Sequence, residues 1–202
     1  MKKLLLFTAI AAFAFSTAHS QEIRFGVKAG ANFANMSVKP DDGISLDGRT
    51  SFHIGGLVEI PISEKFSVQP ELLYSSVGAK YKDNDPFFGD MELTYKLSYI
   101  SIPVMAKYYV VDGLALEAGP QFGFLASAKG EVEIGGESAS EDIKDQFKSL
   151  DIGLGIGASY RLDMGVFFGA RYALGLSNIA DDTDDDVKVK NNVLQISVGY
   201  TF

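Results

Sequence analysis

In the last stretch of this chain Leu194, Ile196, Val198, Tyr200 and Phe202 fall on one side, and Gln195, Ser197, Gly199 and Thr201 on the other. Alternation with period 2 is the mark of an extended strand with two unlike faces; a helix would repeat its apolar positions every three or four residues. The preceding stretch behaves alike, with Val166, Phe168, Ala170, Tyr172, Leu174 and Leu176 set against Phe167, Gly169, Arg171, Ala173 and Gly175. Leu150, Ile152, Leu154, Ile156, Ala158 and Tyr160 oppose Asp151, Gly153, Gly155, Gly157 and Ser159, and residues 114–126 and 25–33 repeat the pattern. From Glu22 onward no helical periodicity of useful length interrupts it.

The alternation predicts eight strands, near residues 22–34, 50–60, 66–78, 93–109, 113–128, 149–160, 165–177 and 192–202. The links at 61–65, 110–112 and 161–164 are short, whereas those at 35–49, 79–92, 129–148 and 178–191 are long and polar. Short and long links alternate strictly, which is the layout of an up-and-down sheet with tight turns at one end. Outer-membrane barrels are built this way, with short periplasmic turns and longer extracellular loops. The expectation is an all-β, eight-stranded antiparallel up-and-down transmembrane barrel in the cell outer membrane, with both termini periplasmic.

A soluble lipocalin-like barrel or a β-sandwich has the same period, so the composition of the two faces decides between them. One face is Leu, Phe, Val, Ile and Tyr, while the other is mostly Gly, Ser and Ala with sparse charges. The second face is a poor surface for water but suits the inside of an eight-stranded barrel, which is just wide enough for side chains to fill. Counting along the strands places Phe25, Phe66, Tyr108, Tyr160, Phe168, Tyr200 and Phe202 near the short-turn end, as an aromatic girdle requires, and Phe33, Phe52 and Tyr95 near the other rim. Pro70, Pro103 and Pro120 fall inside strands, where each removes a ladder donor, so local bulges are expected there.

Residues 1–20 carry Lys2-Lys3, an apolar run from Leu4 to Phe15 and small residues around Ala18-His19-Ser20, the form of a secretory signal peptide cleaved before Gln21. The domain organisation expected is therefore 1–20 signal peptide and 21–202 a single barrel domain. The formal charge of −8 becomes −10 once Lys2 and Lys3 leave with the leader, which argues against nucleic acid as a partner. The chain has no Cys, which excludes disulfide scaffolds, thiol catalysis and Cys-based metal sites.

The stretches Val68-Gln69-Pro70-Glu71-Leu72-Leu73-Tyr74-Ser75, Ser101-Ile102-Pro103-Val104-Met105-Ala106-Lys107-Tyr108-Tyr109 and Glu117-Ala118-Gly119-Pro120-Gln121-Phe122-Gly123 carry a family likeness. With Gly169-Ala170-Arg171-Tyr172-Ala173-Leu174-Gly175-Leu176 and the terminal Val198-Gly199-Tyr200-Thr201-Phe202, they resemble the Bacteroidetes-type outer membrane β-barrel domain family, also called porin family protein. The resemblance spans the mature chain and implies the barrel fold and the membrane location. It also implies that the three prolines are family features, and that Leu194, Ile196, Val198, Tyr200 and Phe202 resemble the signal read by the barrel-assembly machinery. It implies neither an open pore nor a catalytic site.

The inward parity gathers Arg24, Lys28, Glu59, Glu71, Lys107, Glu117, Asp151 and Arg171 in the lumen, with balanced signs. Buried charges must be paired, so an interior salt-bridge cluster centred on Arg171 is expected to plug the barrel; its rival is a proton or ion path through the same residues. The run Asp181-Asp182-Thr183-Asp184-Asp185-Asp186 reads as a solvated loop rather than a Ca²⁺ site, since the spacing of an EF-hand is missing. Asp41-Asp42-Gly43 and Asp47-Gly48 read as turns, and residues 129–148 as an acidic loop, partly helical or disordered. His53 with Ser51 is the only His–Ser pair of the mature chain that an outer-membrane lipid deacylase would need, yet both face the lumen. Gly153-x-Gly155-x-Gly157 has no following helix and reads as strand packing.

These features give a structural or surface-interaction role with a narrow, side-chain-plugged lumen, with a small-solute channel as the alternative and a lipid-modifying enzyme third. No enzyme activity, cofactor or metal is expected. The partners expected are outer-membrane lipid, the assembly machinery during biogenesis and an unidentified extracellular partner of the loops, with the barrel monomeric.

Overall fold

The computed structural model describes residues 22–39, 46–85, 89–134, 137–181 and 187–202. The leader, the Asp41-Asp42-Gly43 stretch and residues 182–186 of the acidic run lie outside them. Nine strands follow in order: β1 (Arg24–Lys39), β2 (Asp47–Ser63), β3 (Phe66–Asp85), β4 (Gly89–Val111), β5 (Leu114–Ile134), β6 (Glu137–Asp142), β7 (Leu150–Arg161), β8 (Val166–Gly175) and β9 (Lys188–Thr201), with one 3-10 turn at Lys144–Gln146. Eight of them form a closed antiparallel ring, in which β4 pairs with β5 and β1 with β9, while β6 pairs on β5 alone. Closure leaves no strand edge in the ring, so its backbone groups are satisfied by neighbours rather than by water.

The ring is apolar outside and polar inside. Phe25, Leu116, Ile156 and Val198 are exposed, whereas Lys28, Glu71, His53 and Arg171 are buried. Phe25 is 60% exposed and Lys28 only 5%, an order that water would not tolerate and lipid requires. This inversion removes the soluble lipocalin-like alternative. The aromatics of the short-turn end are exposed and adjacent: Phe66 pairs with Tyr108, and Tyr160 with Phe168, while the Tyr200 and Phe202 rings meet edge to face at 5.3 Å. Phe33 and Phe52 also face outward. Tyr95 does not; it packs against the apolar cluster inside the barrel, contrary to the girdle expectation.

The short turns are tight. Gly113 and Gly165 sit there at φ of 80° and 91°, a conformation that residues with a Cβ rarely adopt. The expected bulges at the prolines are not found. Pairs around Pro70, Pro103 and Pro120 are interrupted, but the register on either side is unchanged: Pro70↔Val104 is followed by Leu73↔Ser101, and Pro103↔Gln121 by Ala106↔Ala118. Each proline falls in a two-pair gap of a different ladder, Pro70 toward β2, Pro103 toward β3 and Pro120 toward β4, and no extra residue is inserted. Register shifts fall elsewhere, between Gly48 and His53 and between Pro61 and Ser63 of β2, and between Ser98 and Tyr99 and between Tyr109 and Val111 of β4.

The strands at the long-link end run further than their alternation suggested. β3, β4 and β5 have 20, 23 and 21 residues, against the roughly 9–11 that a tilted strand needs to cross a bilayer. Asp47 and Gly48, expected in a turn, instead open β2 opposite Lys80 and Ala79. The 129–148 stretch, expected to be partly helical or disordered, is mostly sheet: β5 runs to Ile134 and β6 returns beside it, all six β6 residues exposed. Below this projection Ile143 and Ile179 turn inward onto Met36, Leu97, Tyr99 and Leu125, closing a small apolar core inside the barrel. Main-chain bonds from Lys148 N to Ile179 O at 2.8 Å and from Asp181 N to Gln146 O at 2.9 Å hold the two covering segments together.

Candidate functional site

Parity alone delivers the lumen side chains, since every second residue of each strand points inward. Register then decides which of them meet. At mid-barrel Arg171 of β8 lies opposite β7 glycines: a Cβ on Gly155 would come within 3.2 Å of Arg171 Cδ, so a larger residue there would crowd the guanidinium. Arg171 donates from Nη2 and Nη1 to the two oxygens of Glu71 at 2.7 and 3.0 Å, and from Nε to Glu117 Oε1 at 2.7 Å. Lys28 Nζ stands 2.7 Å from Glu71 Oε2. Two cations thus face two carboxylates, all buried, and the bidentate Arg–carboxylate contact is the strongest geometry available to such a pair.

A second group lies toward the short turns around Glu59. Arg24, Lys107 and Arg161 approach its oxygens at 3.4, 3.5 and 3.5 Å, and Tyr109 donates its hydroxyl to Oε1. Gln69 joins the two groups, accepting from Lys107 at 3.1 Å and donating to Glu71 at 2.8 Å. Arg161, Tyr109 and Gln69 were absent from the sequence set. Arg161 and Tyr109 have inward parity, but Arg161 was assigned to a turn and the two others are uncharged.

Asp151 is a correction. It shares the lumen but not the cluster: its carboxylate accepts from Ser177 Oγ at 3.0 Å and from Asn191 Nδ2 at 2.9 Å, and no cation pairs with it among the described residues. The reason is height, since Asp151 pairs with Gly123 of β5 whereas Glu117 lies six residues nearer the short turns. Arg49, on the same side of the charge layer, gives its guanidinium to Ser76 Oγ at 3.1 Å and Val77 O at 2.8 Å.

Between these levels His53 is fully buried, with Nδ1 2.8 Å from Asn32 Oδ1 and Nε2 2.9 Å from Ser197 Oγ. Ser51 is not its partner; that hydroxyl donates to Ser76 O at 2.6 Å. Ser197, His53 and Asn32 have the contacts of a nucleophile, a base and an orienting group. Asn32 is also tied to Phe52 O, Ser75, Ser76 O and Gln195, so the set is a cross-linked interior network.

The voids recorded at this depth are small. A void of about 10 Å³ touches Lys28, Lys107, Glu117, Arg171 and Ser197, and one of about 30 Å³ lies beyond it toward the long links. A single water needs roughly 10–15 Å³. Two larger openings lie outside the charge layer: a polar one of about 550 Å³ among the short turns, beside Arg24 and Arg161, and an apolar one of about 650 Å³ at the other end, beside Met36, Tyr95 and Phe147.

Closed ring and inverted faces define a small β-barrel of the membrane type. The chain belongs to the outer membrane protein beta-barrel domain family, which matches residues 16–181. Solved structures with the same fold include Ail, the attachment invasion locus protein of Yersinia pestis, at 16% identity and TM-score 0.51, covering 90% of this chain and 100% of that one. Neisserial surface protein A is similar at 17% identity and TM-score 0.53, with the same coverages of 90% and 100%. A major outer membrane protein from Thermus thermophilus is similar at 12% identity and TM-score 0.52, again covering 90% and 100%. At these identities the likeness is one of fold. A search of curated proteins gives no match.

Proposed function

We propose that this outer-membrane barrel is closed and non-enzymatic, and that it acts as a structural or surface-interaction protein. The layer of Lys28, Glu71, Glu117 and Arg171 carries the reading: its contacts of 2.7–3.0 Å leave only water-sized space beside it. A solute path would have to break a bidentate ion pair at every passage. The Ser197–His53–Asn32 set supports no hydrolase in this reading, because His53 is fully buried and the void beside Ser197 admits no substrate.

In this reading residues 1–20 direct secretion, and the outward row Leu194, Ile196, Val198, Tyr200 and Phe202 is read by the assembly machinery. The short turns and both termini then face the periplasm, and the β3–β6 projection faces outward from the cell. β6 supports the interactive part of the proposal. Its residues are all exposed and it pairs on one side only, leaving a strand edge for a partner. The barrel is monomeric, with lipid as its obligate surroundings.

The test is single-channel recording of the refolded mature protein in a planar bilayer, beside Arg171→Ala. A silent wild type with a conducting variant supports the closed barrel. Steady conductance from the wild type overturns it and makes the protein a small-solute channel.

A further inference from the structure

Asp151 is left over by the ion-pair arithmetic of the lumen. Glu59, Glu71 and Glu117 each face a cation, whereas Asp151 meets only the neutral donors of Ser177 and Asn191. A carboxylate held inside a barrel without a counter-charge is costly. The neighbouring oxygens make the imbalance larger. Among the described residues four buried side-chain atoms have no hydrogen-bond partner, and three of them are carbonyl oxygens, Gln121 Oε1, Asn191 Oδ1 and Gln195 Oε1.

All three residues line the same void of about 30 Å³ as Asp151, together with Tyr99 and Ser101. Asn191 and Gln195 are 6% and 2% exposed. Their amides cannot be turned round without loss: Asn191 Nδ2 already donates to the Asp151 carboxylate, and Gln195 Nε2 to Asn32 Oδ1 at 3.1 Å. The carbonyl oxygens therefore stay where they are, unpaired and beside a negative charge.

We infer that this void is a binding site for a hard cation, of which Ca²⁺ is the representative, with Asp151 supplying the charge and the Gln121, Asn191 and Gln195 carbonyls neutral oxygens. Residue chemistry selects the class. The donors are oxygens with no imidazole or thiolate among them, which suits Ca²⁺ rather than a transition metal. Amide carbonyls from β5 and β9 form a set of irregular reach, which Ca²⁺ accepts and Mg²⁺, with its strict octahedron, does not. A single carboxylate places the affinity in the weak range of extracellular Ca²⁺ modules, a Kd of about 10⁻⁴–10⁻³ M. The site is distinct from the acidic run of residues 181–186, and the ion would enter as the barrel closes during folding.

The chain has no Trp and Tyr99 lines the void, so bound Tb³⁺ in place of Ca²⁺ is read by tyrosine-sensitised luminescence. The mature barrel is refolded in EDTA, in CaCl₂ or in MgCl₂, and its unfolding is compared with that of Asp151→Asn and Gln121→Leu. At ten times Kd, Ca²⁺ is expected to favour the folded state of the wild type about tenfold, with a smaller effect of Mg²⁺. Asp151→Asn should lose both the Ca²⁺ effect and the Tyr99 signal, and Gln121→Leu, which keeps the carboxylate, should weaken them. A wild type indifferent to Ca²⁺ overturns the inference and leaves the void to water. Luminescence that survives Asp151→Asn but disappears in Asp184→Asn/Asp186→Asn also overturns it, by placing the ion on the acidic run.

Discussion

Removing the Arg171 side chain is the sharpest test of the lumen. Arg171→Ala deletes three charge-assisted hydrogen bonds, at 2.7, 2.7 and 3.0 Å, from a site where both carboxylates are buried. Lys28 remains 2.7 Å from Glu71 and keeps that charge neutralised. Glu117 loses its only ion-pair partner among the described residues, and Lys107, directly across the β4–β5 ladder, would have to leave Glu59 to replace it. Breaking a buried pair from one side costs about 3–5 kcal/mol. The double change Arg171→Ala/Glu117→Gln removes the stranded charge, so its loss should be smaller by about 1–3 kcal/mol, the penalty of one unsatisfied buried group. Urea unfolding, followed by tyrosine fluorescence and by the shift between folded and unfolded gel bands, measures both. An Arg171→Ala barrel within about 0.5 kcal/mol of wild type, or a double variant no better than the single one, would refute the argument.

Ile156 is outward and exposed; Ile156→Arg should lower folding stability by about 2–4 kcal/mol if that height lies near the bilayer midplane, whereas Ala139→Arg on β6 should stay within about 0.5 kcal/mol. The same unfolding assay checks the pair, and equal losses would contradict the membrane assignment of the two regions. Gly119→Ala would set a Cβ 2.0 Å from Val104 O and should cost about 1–3 kcal/mol. Gly169→Ala, whose nearest contacts are at 3.7 Å, should be tolerated. Finally, a fluorophosphonate probe should leave Ser197 unlabelled in the folded protein, as judged by peptide mass; labelling abolished by His53→Ala would reopen the hydrolase reading.

The number of strands in the ring, their order and the two faces were legible in the sequence because they depend on side-chain parity and link length, both local quantities. Parity put Lys28, Glu71, Glu117 and Arg171 inside before any contact was known. Their heights, and so their partners, depended on register. Register is fixed by hydrogen bonding across the whole ring, and a difference of six residues along the β5–β7 ladder separates Asp151 from Glu117. Arg161 shows the same limit from the other side: its parity is inward, but only ring closure brings β7 to β2 through the lumen and sets Arg161 3.5 Å from Glu59.

The long-link end was the least readable region. Outside a bilayer no apolar band demands alternation, so the ends of β3, β4 and β5, and the whole of β6, carry mixed sequence and look like loop. The prolines depart from expectation for a related reason: each missing donor is absorbed as a two-pair gap in one ladder, and the pairs on either side keep their register. What the amino-acid order determined by itself is the inside-out barrel, through the period of its residues and the character of each face. Which buried charges pair, and which carboxylate is left beside unpaired oxygens, only the closed tertiary structure decided, because those distances depend on how eight strands meet around one axis.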